Sequence, residues 1–462
     1  MRRRFSRAVF WLLPSVMNMS KVVTRFAPSP TGFLHAGNYR TAVFAYLFAK
    51  QHAGTFLVRI EDTDRARSKP EYEQNIMETL AWLDVRSDTE IARSSDRVER
   101  HKEILAKLIE SGAAYVSHEA KKDDSNQMVD VVRFRNSGTT VSFHDEIRGD
   151  ITFDTTEHED FVIARAVDDP LFHLAVIVDD GDAGVTHVIR GEDHISNTPR
   201  QILLQQALGY AVPVYAHLPL ILGSDRSKLS KRKGAKALTE YRDQGVLAEA
   251  MLDYLASLGW HPGDDREYLT REELIRMFDL SRVQKGGAIF DETKLFSINQ
   301  HWMRALSDEA FVARGELVAA DESKLREAVP LLKDRAHTFS EVREMLAGEL
   351  ACLFAAPEIE REVLVRKEPA DRPGLTKSAL QGLLEPLRRL PGDVSAEVVK
   401  DTLMPLADAE EAKGKGGRGG VLWPLRYALS GQERSPDPFT LISILGAPES
   451  TARIEKAIAI LE

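Results

Sequence analysis

Short apolar runs and helix-periodic stretches alternate through the first half of this chain, and that alternation predicts βα units. A β-rich run at 21–26 is followed, after a Pro/Gly-rich turn, by Tyr39, Val43, Tyr46 and Leu47. Their i, i+4, i+7, i+8 spacing is one face of a helix, which is expected to run to residue 51. Gly54 is placed as the C′ glycine that stops it, and the apolar run 55–60 reads as a buried strand. Helices are expected over about 70–83, opened by Pro70, and over 97–111, stopped by Gly112. From Tyr115 to about Phe172 the pattern changes to short β-like pieces at 129–134, 151–153 and 161–165, separated by polar turns, which marks an insertion. Strand character returns at 172–178 and 185–190, a helix follows over about 198–208, and 218–222 is strand-like. βα units on both sides of an insert predict a split doubly wound sheet. Beyond about Thr239 the periodicity is helical, at 247–258, 271–278, 325–332, 339–354 and 377–389. Segments at 421–429 and 439–445 follow, then a terminal helix from about Ser450. The layout is α/β, then all-α.

Length and composition narrow the picture. At 462 residues the chain is too long for one core, and about three domains are expected. The single cysteine, Cys352, excludes a disulfide framework and a thiolate-rich zinc site. Its setting, Leu-Ala-Cys-Leu-Phe, reads as a buried structural thiol. A formal charge of −10 excludes binding of nucleic acid by bulk attraction, so any RNA contact must use local basic patches. No segment has the run of about 20 apolar residues that a membrane helix needs. Residues 1–20 hold Arg2-Arg3-Arg4 and a short apolar run, and the first acidic residue of the chain is Glu61. They are read as an upstream start, with translation beginning at Met17 or Met19, in preference to a targeting peptide.

Three stretches carry candidate chemistry. Arg25-Phe-Ala-Pro-Ser-Pro-Thr-Gly-Phe-Leu-His35-Ala-Gly-Asn38 joins a strand to a helix start, where backbone N–H groups and the positive helix end face an anion. Pro28 and Pro30 stiffen this turn, while Gly32 and Gly37 are expected to permit backbone shapes and close approaches that a side chain would block. His35 and Asn38 then stand at the helix mouth as donors for phosphate oxygens. Glu61-Asp62-Thr63-Asp64 lies at the C-terminal end of a strand, where open α/β sheets bind ligands, although such residues also serve as N-caps. Arg226-Ser-Lys228-Leu-Ser-Lys231-Arg232-Lys233 is a basic loop at a sheet edge, suited to charge developing on phosphate. The run 121–126 is read as an exposed loop, and 413–420 as a flexible glycine-rich basic loop. His101, His118, His144 and His158 are read as surface residues whose spacing fits no metal template.

Taken together, these residues resemble a bacterial-type glutamyl-tRNA synthetase, a class I aminoacyl-tRNA synthetase. Arg25 to Asn38 is similar to the family's HIGH region, and Lys228-Leu-Ser-Lys-Arg232 to its KMSKS loop. Arg59-Ile-Glu-Asp-Thr-Asp-Arg65, Val188-Ile-Arg-Gly-Glu-Asp-His194, Glu240-Tyr-Arg242, Leu258-Gly-Trp260 and Pro424-Leu-Arg-Tyr-Ala-Leu-Ser-Gly431 resemble further signatures, in the family's order. The resemblance implies a Rossmann-type catalytic domain over 21–238, split by an α+β insertion at about 115–172. It also implies a helical stem-contact domain over 239–320 and an anticodon-binding domain over 321–462. Its implied catalytic residues are His35, Asn38, Lys228 and Lys231, with Pro28, Ser29, Gly37 and Lys231 on ATP. Arg25, Ser29, Glu61, Phe172 and Arg190 would hold glutamate, Arg190 taking the side-chain carboxylate as a planar fork and Glu61 pairing with the α-ammonium. ATP, Mg²⁺, L-glutamate and tRNA(Glu) are the implied partners, with tRNA(Gln) as well if the enzyme is non-discriminating. A cytoplasmic monomer is expected.

Three departures from the family pattern shape these expectations. Phe172 stands where the family often has Tyr, which removes a hydroxyl from the glutamate pocket. Val116-Ser117-His118-Glu119 lacks the cysteines that bind zinc in many members, so no zinc is expected. The insert between Tyr115 and Val131 is shorter than usual, which bears on contact with the tRNA acceptor end. Two readings from other classes stay open at this stage: a small-molecule nucleotidyltransferase sharing the phosphate site, and a catalytically silent RNA-binding relative. The truncated paralogue that glutamylates queuosine in aspartate tRNA is disfavoured by the long chain after Leu280.

Overall fold

The computed structural model describes residues 21–120, 128–156, 159–229, 234–370, 373–392, 394–412 and 417–462. Two compact units emerge, one from Met1–Arg242 with Ala248–Leu295, the other from Asp243–Leu247 with Phe296–Glu462. The expectations for residues 1–20, 121–126, Lys231, His158 and 413–416 lie outside the described residues.

The first unit opens with β1 (Val23–Phe26), α1 (Ala36–Gln51) and β2 (Thr55–Ile60), with β1 and β2 parallel and Arg25 level with Leu57. Helix α1 is buried nearly all round: Tyr39, Phe44 and Leu47 have no exposed surface, each worth about 1.5–3 kcal/mol of burial. It ends through His52 as C-cap, with Ala53 in the left-handed region at φ 49°. Gly54 is therefore not the left-handed residue expected. It is required for a different reason, because a Cβ there would lie 2.4 Å from the Val22 carbonyl oxygen. Helices α2 (Pro70–Trp82) and α3 (Val98–Glu110) frame the short β3 (Ala92–Arg93), which pairs parallel to β2.

The insertion supplies β4 (Ala114–Ala120), β5 (Met128–Phe134), β6 (Thr140–Asp145), β7 (Gly149–Asp154), β8 (Phe161–Ala166) and β9 (Asp169–Pro170). Its described part is all strand, and it divides in two. Strands β4-β5-β8-β9 form an antiparallel sheet of their own, whereas the β6–β7 hairpin joins the sheet of the flanking βα units.

After the insertion come α4 (Phe172–Asp182), β10 (His187–Gly191), α5 (Thr198–Leu208), β11 (Val214–Leu218) and β12 (Ile221–Leu222). The run 172–178 was expected as a strand and is the start of α4. Its residues from Leu174 to Asp180 are all buried, so the helix shows no polar face, and an apolar run of that kind has no readable period. The run 218–222 expected as one strand is split at Pro219 into the end of β11 and the short β12. Strands β10 and β11 are parallel, β11 takes β6 through the pair Tyr215 and Asp145, and the Thr186 N–H donates to Val23 C=O at 2.9 Å, bringing β10 beside β1. This is the doubly wound sheet expected on both sides of an insert. Helices α6 (Leu238–Asp243), α7 (Ala248–Ser257) and α8 (Arg271–Met277), strand β13 (Ala288–Ile289) and the start of α9 (Glu292–Ala305) follow.

The described second unit is helical: α10 (Asp308–Arg314), α11 (Glu322–Arg335), α12 (Phe339–Ala347), α13 (Arg361–Leu364), α14 (Leu375–Arg388), α15 (Ala396–Ala412), α16 (Gly419–Ser430) and α17 (Pro438–Ile460). Gly446, at φ 77°, kinks α17 where the periodicity predicted two helices. Helix α12 stops at Gly348, short of the expected 354. Arg453 is buried among carbonyls, donating to Cys352 O at 2.8 Å and Leu429 O at 2.7 Å, and Cys352 itself is buried.

Candidate active site

A cavity of about 390 Å³ opens where β1, β2, β10 and the start of α1 converge, and Lys228 and Leu229 reach it from the far side. Arg25, Pro28, Ser29, His35, Gly37, Asn38, Glu61, Phe172, Arg190 and Lys228 all line it. Of the site residues expected from sequence, Lys231 lies outside the described residues.

The turn before α1 is held by its own backbone. Pro28 C=O accepts from Glu61 N–H at 2.9 Å, and Pro30 C=O accepts from Lys69 N–H at 3.0 Å, which ties it to the end of β2 and the start of α2. His35 is the N-cap of α1: its Nδ1 accepts from Gly37 N–H at 3.1 Å, and its own N–H donates to Asn38 Oδ1 at 3.2 Å. With Nδ1 accepting, the neutral ring carries its proton on Nε2, which makes that atom a donor. Gly37 permits this arrangement, because a Cβ there would lie 3.0 Å from His35 Cε1. Gly32 does not match the expectation made for it. Its φ is not positive and a Cβ would meet nothing within 4 Å, so the turn itself imposes no glycine there.

Beside the turn lies a buried charge network. Arg59 donates to Glu61 Oε1 at 2.7 Å and pairs with Asp180 at 2.7 Å, and Arg25 Nε donates to Asp180 Oδ2 at 3.2 Å. Burial raises the Asp180 carboxyl, but Arg25 and Arg59 outweigh it and hold that carboxyl below its ordinary value. At Glu61 burial wins over Arg59, and its carboxyl is pushed up. Glu61 Oε2 is buried without a hydrogen-bond partner. Asp180 is the member of this network that sequence reading missed: it lies on α4, two residues beyond the run 172–178 taken for a strand.

Arg190, only 7% exposed, donates from Nε to His217 Nε2 at 3.1 Å and from Nη2 to Thr198 Oγ1 at 2.8 Å, with the Tyr215 ring 5.2 Å from its guanidinium carbon. Among the described residues no carboxylate lies within ion-pair distance of it, and burial pushes it down to about 10. A second buried arginine, Arg40, also lines the cavity. It donates from Nη1 to Leu258 C=O at 3.2 Å and from Nη2 to Pro219 C=O, fastening α1 to the segment just before β12. Arg40 was missed from sequence because a cation inside an apolar helix period reads as a surface residue.

Lys228 is exposed and pairs with Asp193 at 3.0 Å. Its segment folds back as a turn: Gly223 N–H donates to Ser227 C=O, Leu229 N–H to Ile221 C=O, and Leu222 bridges to Lys228. Phe172, at the first turn of α4, is half-buried in the cavity wall, 5.9 Å from the His194 ring. His118 and His144 are exposed, but His101 is fully buried, its Nε2 2.8 Å from Asp179 Oδ1, which corrects its reading as a surface residue. Its helix turns it inward, where a carboxylate 78 residues away takes Nε2 while Nδ1 is buried with no hydrogen-bond partner among the described residues. Among the described residues no group of three or more His, Cys, Asp or Glu is placed to hold a metal ion.

Comparison with known proteins agrees with this geometry at the level of class and then of family. The family described as tRNA synthetases class I (E and Q), catalytic domain, matches residues 21–127 and 117–297, and an anticodon binding domain matches 299–458. Curated relatives include Glutamate--tRNA ligase 1 of Mesorhizobium japonicum, 38% identical, covering 95% of this chain and 99% of that protein. Glutamate--tRNA ligase of Aquifex aeolicus is 38% identical with the same coverage. Among solved structures, a glutamate tRNA ligase from Elizabethkingia meningosepticum in complex with its amino acid superposes at TM-score 0.81, with 32% identity over 96% of this chain and all of that one. Glutamate-tRNA synthetase from Elizabethkingia anophelis gives 0.78, with 31% identity over 95% of this chain and all of that one. The chain belongs to the glutamate–tRNA ligases, a class I aminoacyl-tRNA synthetase family. Neither the nucleotidyltransferase nor the silent RNA-binding reading finds support among these relatives.

Proposed function

We infer that this chain activates L-glutamate with ATP and transfers the glutamyl group to the 3′-terminal adenosine of tRNA(Glu). The observation that carries the reading is a matched pair of unsatisfied groups in one cavity: Glu61 Oε2, buried without a partner, and Arg190, a buried cation without a carboxylate. A molecule with an ammonium and an acid at opposite ends, as glutamate has, complements both. Arg25 keeps its Nη groups for the same ligand while Nε serves Asp180, and Ser29 and Phe172 complete the wall.

ATP is assigned to the turn at Pro28, Ser29 and Gly37, with His35 and Asn38 at the phosphates and Lys228 and Lys231 closing from the opposite loop. The substrate α-carboxylate attacks the α-phosphorus and pyrophosphate leaves. The chain's part in this step is positioning and charge stabilisation. Mg²⁺ is expected to arrive on the ATP phosphates, where it neutralises charge. In the second step the 2′-hydroxyl of the terminal adenosine attacks the activated carboxyl. The helical C-terminal half is assigned to the tRNA, as stem-contact and anticodon-binding segments divided near residue 320. The reading puts a monomeric enzyme in the cytoplasm, where charged tRNA is used, with tRNA(Gln) as the further acceptor a non-discriminating enzyme would take.

ATP–pyrophosphate exchange with glutamate, with and without tRNA, tests the reading. Arg190→Ala should raise the glutamate KM by about a hundredfold or more while the ATP KM changes little, since a hydrogen-bonded charge pair is lost. An unchanged glutamate KM would remove Arg190 from the pocket.

A further inference from the structure

Arg190 does not aim itself. Asp145, fully buried at the end of β6, accepts backbone N–H groups from Ile147 at 3.0 Å, Arg148 at 2.8 Å and His217 at 3.1 Å, and the His217 side chain at 2.6 Å through Nδ1. A carboxylate holding that many donors is ionised, so Nδ1 of His217 is the protonated nitrogen. Nε2 then offers a lone pair, and Arg190 Nε donates into it. Were the proton on Nε2, two N–H groups would face each other across 3.1 Å. The His217 ring lies stacked against Tyr215 with an interplanar angle of 9°, and Tyr215 also underlies the Arg190 guanidinium. Thr198 takes Nη2, while Nη1 has no hydrogen-bond partner among the described residues.

We propose that Asp145 and His217 are positioning residues for recognition of the substrate's side-chain carboxylate, fixing the Arg190 fork so that its remaining donors face the cavity. The inference rests on the assignment of Arg190 made above. It gives the insertion a role in amino-acid selection: β6, the strand of the insert that joins the main sheet, carries the carboxylate that sets the tautomer of His217 on β11. Asp145 and His217 touch neither substrate nor reacting atoms and act only through Arg190. Orientation matters here because a planar fork binds a carboxylate through two parallel bonds, and a rotated one offers at most a single bond.

The experiment measures glutamate and ATP KM and kcat by pyrophosphate exchange, in the full chain with tRNA, for Asp145→Asn, His217→Gln and His217→Ala. Asn at 145 is isosteric but presents an N–H to Nδ1, which drives the proton to Nε2 and turns it against Arg190. Asp145→Asn and His217→Ala should each raise the glutamate KM by roughly ten- to a hundredfold, the range for a hydrogen bond to a charged group. The ATP KM and kcat should stay within about threefold. His217→Gln, whose side-chain oxygen can accept from Arg190, should recover part of the loss. In an Arg190→Lys background, which lacks the fork, Asp145→Asn should add nothing.

If His217→Ala fails to fold, Asp145→Asn and His217→Gln decide the matter. A folded Asp145→Asn with wild-type glutamate KM overturns the proposal, and so does a loss spread equally over glutamate KM, ATP KM and kcat, or full additivity with Arg190→Lys. If Arg190→Ala itself leaves the glutamate KM unchanged, the assignment of Arg190 fails instead.

Discussion

Replacing Gly37 by alanine should leave the fold standing and strip out the activation step. The new Cβ would lie 3.0 Å from His35 Cε1, 3.1 Å from Nδ1 and 3.6 Å from Ile221 Cγ1. Carbon contacts settle at about 3.5–4.0 Å, so the imidazole must retreat by about half an ångström. The Gly37 N–H to Nδ1 bond, 3.1 Å at present, then stretches beyond useful length. Losing that cap costs about 1 kcal/mol, and alanine in place of glycine inside a helix returns about the same. Net stability should therefore change little, and the melting temperature should move by no more than a few degrees. Catalysis has no such offset. Displacing the donor Nε2 of His35 from the phosphates it is proposed to meet, by a distance of this order, should cost about a hundredfold in activation rate. The assay is glutamate-dependent pyrophosphate exchange beside a thermal melt of the same preparation. A folded Gly37→Ala variant that exchanges at the wild-type rate would refute the reasoning, because His35 would then not be doing its work from the capped position. A melting temperature lowered by ten degrees or more would refute the cancellation on which the stability estimate rests.

Asp180→Ala should destabilise the first unit by about 3–5 kcal/mol at pH 7, since it leaves Arg25 and Arg59 buried and short of negative charge. Because the Asp180 carboxyl is held below its ordinary value, its contribution is present above about pH 4 and is lost as the pH falls through the lower folded-state value. Denaturant unfolding at pH 7 and pH 3 should show the gap between wild type and variant closing in acid, and a gap of constant size would contradict the assigned cause. Phe172→Tyr should lower the glutamate KM by about fivefold, the worth of one added hydrogen bond of roughly 1 kcal/mol. An unchanged KM would show that the ring edge at this position does not face the amino acid.

Much of the candidate site could be read from the linear order of residues, and the reason is that its signals are local. The strand, the stiff turn and the capped helix around His35 are encoded within about thirty consecutive residues, by periodicity, prolines and a glycine that a neighbouring ring requires. The end of β2 at Glu61 and the basic turn at Lys228 are similarly self-announcing, which is why nearly every residue expected at the site lines one cavity. The errors fell where the deciding partner is remote. Helix α4 was read as a strand because its residues are buried on all sides, and a period cannot be seen where no face is polar. Asp180, further along the same helix, went unnoticed because its meaning comes from Arg25, 155 positions away. His101 was taken for a surface residue and Arg40 was passed over, although a carboxylate on α4 and the carbonyls of Pro219 and Leu258 hold them in the interior. His217 sits in an apolar strand and acquires chemistry only because β6 brings Asp145 beside it across 72 residues. Local preferences act through neighbours along the chain and leave marks in composition and spacing. A buried charge is tolerated only by a partner that folding delivers, and nothing in the spacing of residues records which partner that will be.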